Sequence, residues 1–255
     1  MPDTYDLDAE IARAAAVLKS AARVAVLTGA GVSAESGVPT FRASDGLWEG
    51  HRIEEVATPT GFARNPELVW RFYNGRRVNV AKVTPNPGHF ALVELEKRFG
   101  DGFAIATQNV DGLHQQAGSK TVFEVHGSLR RTRCTNCEVE EERGLDDLGP
   151  RPLCPHCGGF LRPAIVWFHE SLPEDVWMRA MLAAQDCDVF LVVGTSAVVY
   201  PAASLIPIAK RAKQPGATVI ECNLDRTAAS DQADIGLYGP SGETLPRVVT
   251  LMNRD

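Results

Sequence analysis

A chain of 255 residues, 44% hydrophobic and 23% charged, has the composition of a globular protein with room for a large core, or a core and a small second lobe. Its formal charge of −6 argues against a nucleic-acid-binding surface, so no direct nucleic-acid partner is expected, and it admits a positively charged partner such as a lysine-rich peptide. The acidic stretch Met1-Pro2-Asp3-Thr4-Tyr5-Asp6-Leu7-Asp8 lacks the apolar core of a signal peptide, and no apolar run is long enough to span a membrane, so a cytoplasmic location with no membrane partner is expected.

Leu7, Ile11, Ala14, Ala15 and Leu18 recur at helical spacing and predict an amphipathic first helix that packs on a sheet. Val24 to Leu27 predicts a buried strand. It ends in Thr28 and is followed by Gly29-Ala30-Gly31 and small residues with helix-starting chemistry. Gly29 and Gly31 would let the backbone come close to a ligand, and the N–H groups at the start of the next helix suit a pyrophosphate. The spacing Gly-x-Gly-x-x-Ala, ending at Ala34, is an accepted variant of the dinucleotide fingerprint, yet it fits a glycine turn in any α/β protein about equally well. The acidic residue that a Rossmann site places roughly 20 residues further on is missing. That region, Phe41-Arg42-Ala43-Ser44-Asp45-Gly46-Leu47-Trp48, reads as a loop.

From Ala43 to about Thr84 the pattern is irregular and then helical. Asn65 as N-cap and Pro66 at the first position start a helix that carries Val69, Phe72, Tyr73 and Val80 on one face. Asn86-Pro87-Gly88 opens another helical region, His89 to Phe99. Buried strands are predicted over Phe103–Asn109, Val122–His126, Val189–Ser196 and Ala217–Asn223, alternating with helical stretches, which predicts an α/β fold with a mostly parallel sheet. The strands end in ligand-capable groups: Thr28-Gly29, Gln108-Asn109, His126, Gly194-Thr195-Ser196 and Asn223. In open α/β sheets a ligand sits beyond the carboxyl ends of the strands, so these residues mark the expected site.

The alternation breaks between about Gly127 and Leu161. There Cys134-x-x-Cys137 is followed, after 16 residues, by Cys154-x-x-Cys157, the spacing of a four-thiolate zinc site. Four thiolates leave no position for water, so the zinc is expected to be structural, and the nearby His156 and His169 are read as non-ligands. Cys187 and Cys222 lie in or beside apolar strands and read as core residues.

The run Gly29-Ala30-Gly31-Val32-Ser33-Ala34-Glu35-Ser36-Gly37-Val38-Pro39-Thr40-Phe41-Arg42 resembles the signature of the sirtuins. So do Gln108-Asn109-Val110-Asp111-Gly112-Leu113-His114, His126-Gly127-Ser128, the two Cys-x-x-Cys pairs, Gly194-Thr195-Ser196 and Asn223, all in the family's order and spread over nearly the whole chain. The resemblance implies a Rossmann-like NAD-binding domain over 1–42, 85–126 and 167–255. It implies a smaller lobe over 43–84 and 127–166, made of a helical module and the zinc module. It implies NAD and one structural zinc as cofactors, acylated-lysine proteins or peptides as partners, and deacylation that yields nicotinamide, O-acyl-ADP-ribose and free lysine. His126 matches the family's base, and imidazole titrates in the useful range. Asn109 and Asp111 match the residues that act on the nicotinamide. Gly29, Ala30, Gly31, Ala34, Glu35, Phe41, Arg42, Trp48, Gln108, Val110, Gly194, Thr195, Ser196, Asn223, Leu224, Asp225 and Ser241 complete the cofactor contacts that the resemblance implies. Val166-Trp167-Phe168 resembles the family's substrate strand, which would add the peptide as a further strand, with Val198 and Val199 on the other edge. His169 stands where the family usually has glycine before the glutamate, which leaves the geometry of that turn open.

Positions 69, 72, 73, 76 and 80 share a helical face, and Arg76 sits in the middle of this apolar stripe. A guanidinium there needs an anion or an exit to water. Tyr73-x-x-Arg76 resembles the desuccinylase and demalonylase branch of the sirtuins, in which the pair binds the distal carboxylate of the acyl chain, and Ala57 matches a small residue that makes room for it. An arginine snorkelling at a lobe interface is the structural alternative. Rival readings are a plain deacetylase, a catalytically silent NAD or ADP-ribose sensor, and an ADP-ribosyltransferase or NAD hydrolase that needs no acyl peptide.

Overall fold

The computed structural model describes residues 5–40, 47–48 and 50–254. Asp6 accepts from the N–H groups of Asp8 and Ala9 to cap α1 (Leu7–Ser20), whose Ile11, Ala14, Ala15 and Leu18 are buried. β1 (Val24–Thr28) is buried at every residue and runs through Gly29 into the short α2 (Ala30–Ala34). The two-residue strands β2 (Leu47–Trp48) and β3 (His51–Arg52) precede α3 (Ile53–Val56), α4 (Pro59–Arg64) and α5 (Pro66–Val80). Thr58 caps α4 and Asn65 caps α5, each with proline at the first turn, where its missing N–H costs nothing. α6 (Pro87–Phe99) opens on a reciprocal cap in which the Asn86 side chain accepts from the helix backbone and His89 Nδ1 accepts from Asn86 N.

β4 (Phe103–Thr107), α7 (Leu113–Ala117) and β5 (Val122–Glu124) follow. Three antiparallel strands then leave the main sheet: β6 (Gly127–Cys134), β7 (Glu140–Glu142) and β8 (Leu161–Ile165), in the order β7-β6-β8. The chain returns through α8 (Glu174–Asp186), β9 (Val189–Val193), α9 (Leu205–Arg211), β10 (Thr218–Asn223), β11 (Ile235–Tyr238) and α10 (Ser241–Met252).

The main sheet has six parallel strands in the order β11-β10-β9-β1-β4-β5. Ranked by chain position this is the Rossmann order 3-2-1-4-5-6, whose reversal falls between β1 and β9. The registers bring Thr28, Thr107, Val193 and Cys222 into one row, so the strand ends are level and open into a single crevice. α1, α6 and α10 cover one face of the sheet, while α8 and α9 cover the other. Among the described residues no helix is long and apolar enough to cross a membrane.

The structure adjusts several expectations. β5 stops at Glu124, so His126 lies beyond the strand. The strands read as reaching Asn109 and Ser196 end at Thr107 and Val193. The sixth strand, β11, was not expected: it is four residues long and only alternately buried, too weak a pattern to stand out.

The small lobe is braced through α5. Trp70 Nε1 donates to Leu161 O at 2.8 Å, and Trp70 packs with Cys134, Cys154 and Leu161. Arg77 is fully buried, its guanidinium donating to the carbonyls of Asp146, Leu129 and Arg143. Burial lowers its pKa, and the nearby Asp146, Glu142 and Asp147 oppose that shift. Arg76 and Arg77, adjacent in sequence, therefore do different work: Arg77 ties the helix to the zinc module, while Arg76 faces the cavity described next.

Candidate active site and zinc centre

The turn after β1 is pressed onto the turn after β9. Gly29 N donates to Val193 O at 3.0 Å and Gly31 N to Gly194 O at 2.7 Å. A Cβ on Gly29 would lie 2.6 Å from Thr195 Cβ, and one on Gly31 would lie 2.7 Å from Gly194 Cα. These glycines are thus needed first for contact between two loops of the protein, and their N–H groups are committed to it. Both glycines also line the cavity, so the close loop contact lies beside the expected ligand site.

Beyond these turns opens a cavity of 510 Å³ that joins the strand ends to the small lobe. Gly29, Ala30, Gly31 and Ala34 line it from the first turn, and Gln108, Asn109, Val110 and Asp111 from the loop after β4. His126, Gly194, Thr195, Ser196 and Leu224 add the ends of the other strands. Ala57, Tyr73 and Arg76 reach in from the helices, and Val166, Trp167 and Phe168 from the segment after β8.

Ser33 organises one wall. Asn109 Nδ2 donates to Gly29 O at 3.0 Å and to Ser33 Oγ at 3.1 Å, so Asn109 presents Oδ1 as its remaining group. The Ser33 hydroxyl in turn bonds Asp111, whose Oδ1 also accepts from Leu113 N at 2.9 Å. Burial raises the Asp111 pKa, against the Leu113 N–H, the Ser33 hydroxyl and the Arg76 charge. Behind this wall Asn109 N donates to Thr107 Oγ1, which accepts from Thr28 Oγ1 at 2.7 Å. Thr28 Oγ1 must then accept from His114 Nε2 at 2.9 Å. Burial holds His114 at a pKa of about 3 and its neighbour His89 at about 4, so both are neutral supports.

His126 is half-buried in the cavity wall. Its Nδ1 lies 3.3 Å from Gln108 O, and a carbonyl oxygen can only accept, so Nδ1 carries the proton and Nε2 keeps a lone pair. Burial lowers the His126 pKa, and the bond to Gln108 O partly opposes that. Gln108 Nε2 also reaches Thr195 Oγ1 at 2.9 Å, linking the loops after β4 and β9.

Four residues expected at the cofactor are not brought into the cavity lining. Asn223 Nδ2 donates to Thr195 O and Glu221 Oε1, so Asn223 supports the lining from behind. Glu35 accepts from Ser241 Oγ at 2.6 Å and from Gly242 N, capping α10 instead. Asp225 is exposed. Phe41, Arg42 and the side chain of Trp48 lie outside the described residues. Conversely, Val38, Pro39, Thr40, Ile165, Leu172, Tyr200 and Pro201 line the cavity without having been singled out.

At the helical end, Ala57, Tyr73 and Arg76 are 2%, 0% and 7% exposed. Trp167 Nε1 donates to the Tyr73 oxygen at 2.9 Å. Burial pushes the Tyr73 hydroxyl up to about 12, opposed by the Arg76 charge and the Trp167 bond. The substrate-strand candidate is held by Val166 N donating to His126 O and Phe168 N to Ala57 O. The turn that follows is closed by Glu170 N donating to Trp167 O, with His169 at φ 73°. The turn thus keeps a left-handed residue although a histidine occupies it, at a cost of about 1–2 kcal/mol. His169→Gly is expected to relieve most of that, less glycine's larger chain entropy. A rise of roughly 1–4 °C in the calorimetric midpoint is expected, and a fall would mean that the imidazole makes a stabilising contact.

The Sγ atoms of Cys134, Cys137, Cys154 and Cys157 lie within 4.8 Å of one another, with Cys134–Cys157 at 3.5 Å and Cys137–Cys154 at 3.7 Å. A tetrahedral Zn²⁺ with bonds of about 2.3 Å needs sulfur–sulfur edges of about 3.8 Å, so the cluster has the size of a closed zinc site. Backbone N–H groups of Cys137 and Asn136 point at Cys134 Sγ and lower the pKa of that thiol. His156 is engaged by Glu141, in keeping with its reading as a non-ligand.

Comparison with known proteins matches this geometry. A family model described as the Sir2 family matches residues 29–201. A protein named NAD-dependent protein deacylase from Pyrococcus abyssi is 48% identical over 250 residues, covering 96% of this chain and 98% of its own. The solved structure of a Sir2 homologue in complex with NAD superposes with a TM-score of 0.86 at 46% identity, covering 94% of this chain and 93% of that one. A Sir2 protein bound to a myristoylated histone peptide superposes with a TM-score of 0.78 at 37% identity, covering 97% and 98%.

Proposed function

The chain belongs to the Sir2 family and is an NAD-dependent protein deacylase, and from that premise we propose that it prefers succinyl- and malonyl-lysine while retaining some deacetylase activity. The observation that carries the preference is the cavity lining, in which the buried Tyr73, Arg76 and Ala57 share one cavity with His126. A buried guanidinium and a hydroxyl are matched by a carboxylate, which accepts from both.

The other roles follow from the same cavity. NAD, when bound, supplies a nicotinamide leaving group and the ribose that takes up the acyl group. Asn109 Oδ1 offers an acceptor to the carboxamide N–H, and Ser33 keeps Asn109 and Asp111 oriented. Thr195 and Ser196 would meet the cofactor's phosphate and ribose, and Leu224 its adenosine end. With its proton on Nδ1, His126 would use Nε2 to accept a proton from a ribose hydroxyl. The acylated lysine enters beside the Val166–Phe168 segment, whose N–H groups are committed within the protein, so a peptide there would pair through the segment's carbonyls, with little demand on sequence. The four cysteines hold one structural zinc, and reduced thiolates suit a cytoplasmic setting.

Product mass spectrometry with NAD and acetyl-, malonyl- and succinyl-lysine peptides tests the preference, and equal rates on all three would reduce it to a plain deacetylase. Arg76→Met and Tyr73→Phe should each lower the succinyl-over-acetyl ratio of kcat/KM, Arg76→Met by roughly ten- to a hundredfold, the worth of a charged hydrogen bond. Equal losses on both peptides would defeat the carboxylate-clamp reading.

A further inference from the structure

We propose that Trp167 sets the polarity of the acyl pocket: its indole N–H fixes the Tyr73 hydroxyl as a hydrogen-bond donor toward the acyl terminus. This inference rests on the anionic-acyl reading above and names the residue that enforces it.

An indole N–H can only donate, and it meets the Tyr73 oxygen at 2.9 Å between two buried side chains. That bond uses the accepting side of the hydroxyl. The hydroxyl hydrogen must point elsewhere, and among the described residues it reaches no acceptor. Tyr73, Arg76 and Trp167 line the same cavity, so its lining includes an O–H and a guanidinium, both donors. A carboxylate satisfies both. A methyl terminus wastes them, and an ammonium terminus meets only donors.

The indole is itself held in place. The Arg162 guanidinium lies 3.5 Å over the Trp167 ring. It is locked there by paired bonds to Glu170, at 2.6 and 2.8 Å, and by a bond to Ile165 O at 2.9 Å. Glu170 Oε2 also accepts from Trp167 N at 2.8 Å, and Phe62 packs 5.3 Å from the Trp167 ring, centroid to centroid. Turning the indole away from Tyr73 would break the stack on Arg162. Without the indole, the Tyr73 hydroxyl could rotate and present either a hydrogen or a lone pair to the substrate.

The test is a double-mutant cycle on the zinc-loaded enzyme with NAD, read as the ratio of kcat/KM for succinyl-lysine to that for butyryl-lysine, an acyl group of similar length without the charge. Trp167→Phe should lower the ratio about three- to tenfold. Adding Trp167→Phe to Tyr73→Phe should lower it no further, because the indole acts through the hydroxyl. A ratio unmoved by Trp167→Phe, or losses that multiply in the double variant, would overturn the inference while leaving the carboxylate clamp in place. A wild-type ratio near one would sink the anionic-acyl reading and this inference with it. Should Trp167→Phe fail to fold, the indole N–H resonance of Trp167 gives a second measure in wild type and Tyr73→Phe. It should move upfield and exchange faster in Tyr73→Phe, and an unchanged resonance would overturn the inference.

Discussion

His126→Ala is expected to leave a folded, zinc-loaded protein that still binds NAD, while turnover falls by about 10²–10⁴-fold, the worth of a positioned general base. The imidazole stands where the two lobes meet. Val125 N donates to Thr107 O, His126 O accepts from Val166 N, and Gly127 follows at φ 79°, where a Cβ would lie 2.1 Å from Ala164 O. The backbone there is held from both sides, so removing the side chain need not move it. The pH dependence has a definite sign. A base works deprotonated, and burial lowers the pKa of His126 from 6.5. The group therefore stays active through neutral pH, and kcat/KM should fall only on the acid side, with its inflection below 6.5. Isothermal calorimetry with NAD, together with a pH–rate profile on an acyl peptide, checks both parts. Full turnover by His126→Ala, or a wild-type inflection above 6.5, would remove His126 from the role.

What could be read in the sequence follows the range of the forces involved. β1, β4 and β9 are apolar runs buried on both faces, and their polar ends mark the crevice without any knowledge of strand order. Asn65 and Pro66 announce α5 through chemistry confined to a few neighbouring residues, and the cysteine spacing announces the metal in the same way. Arg77 was invisible because its partners are carbonyls of the zinc module, brought over it only by the tertiary fold. The pairing of Glu35 with Ser241 joins residues 206 positions apart, so no local pattern reports it. Ser33 lies within the run from Gly29 to Arg42, but a small hydroxyl carries no periodic signal. That it joins Asn109 to Asp111 depends on α2 facing the loop after β4.

Removing the zinc, by a strong chelator or by Cys154→Ala, is expected to unfold the small lobe and abolish deacylation while much of the main sheet persists. The reasoning rests on how little else holds the module. Among the described residues the buried core around the cysteines is Trp70, Cys134, Cys154 and Leu161, with the half-buried Phe62 and Leu148 against it, and the module's strands form a sheet of three. Structural zinc contributes an apparent 10–16 kcal/mol or so in small peptides, comparable to the whole stability of about 5–15 kcal/mol for a domain. The loss should spread along identifiable bonds. If β6 and β8 separate, Trp70 loses Leu161 O, and Arg77 loses acceptors that keep a buried guanidinium satisfied, a loss of the kind that costs several kcal/mol. β8 leads directly into Val166 and Trp167, so the substrate segment and its bonds to His126 O and Ala57 O should loosen with it. The main-sheet clusters contain none of the four cysteines, so their packing does not depend on the metal. Chelation should therefore release one zinc per chain, split the calorimetric transition in two, and weaken acyl-peptide binding more than ADP-ribose binding. A chelated protein, verified free of zinc, that keeps a single transition and full turnover would show that the lobe stands without its metal.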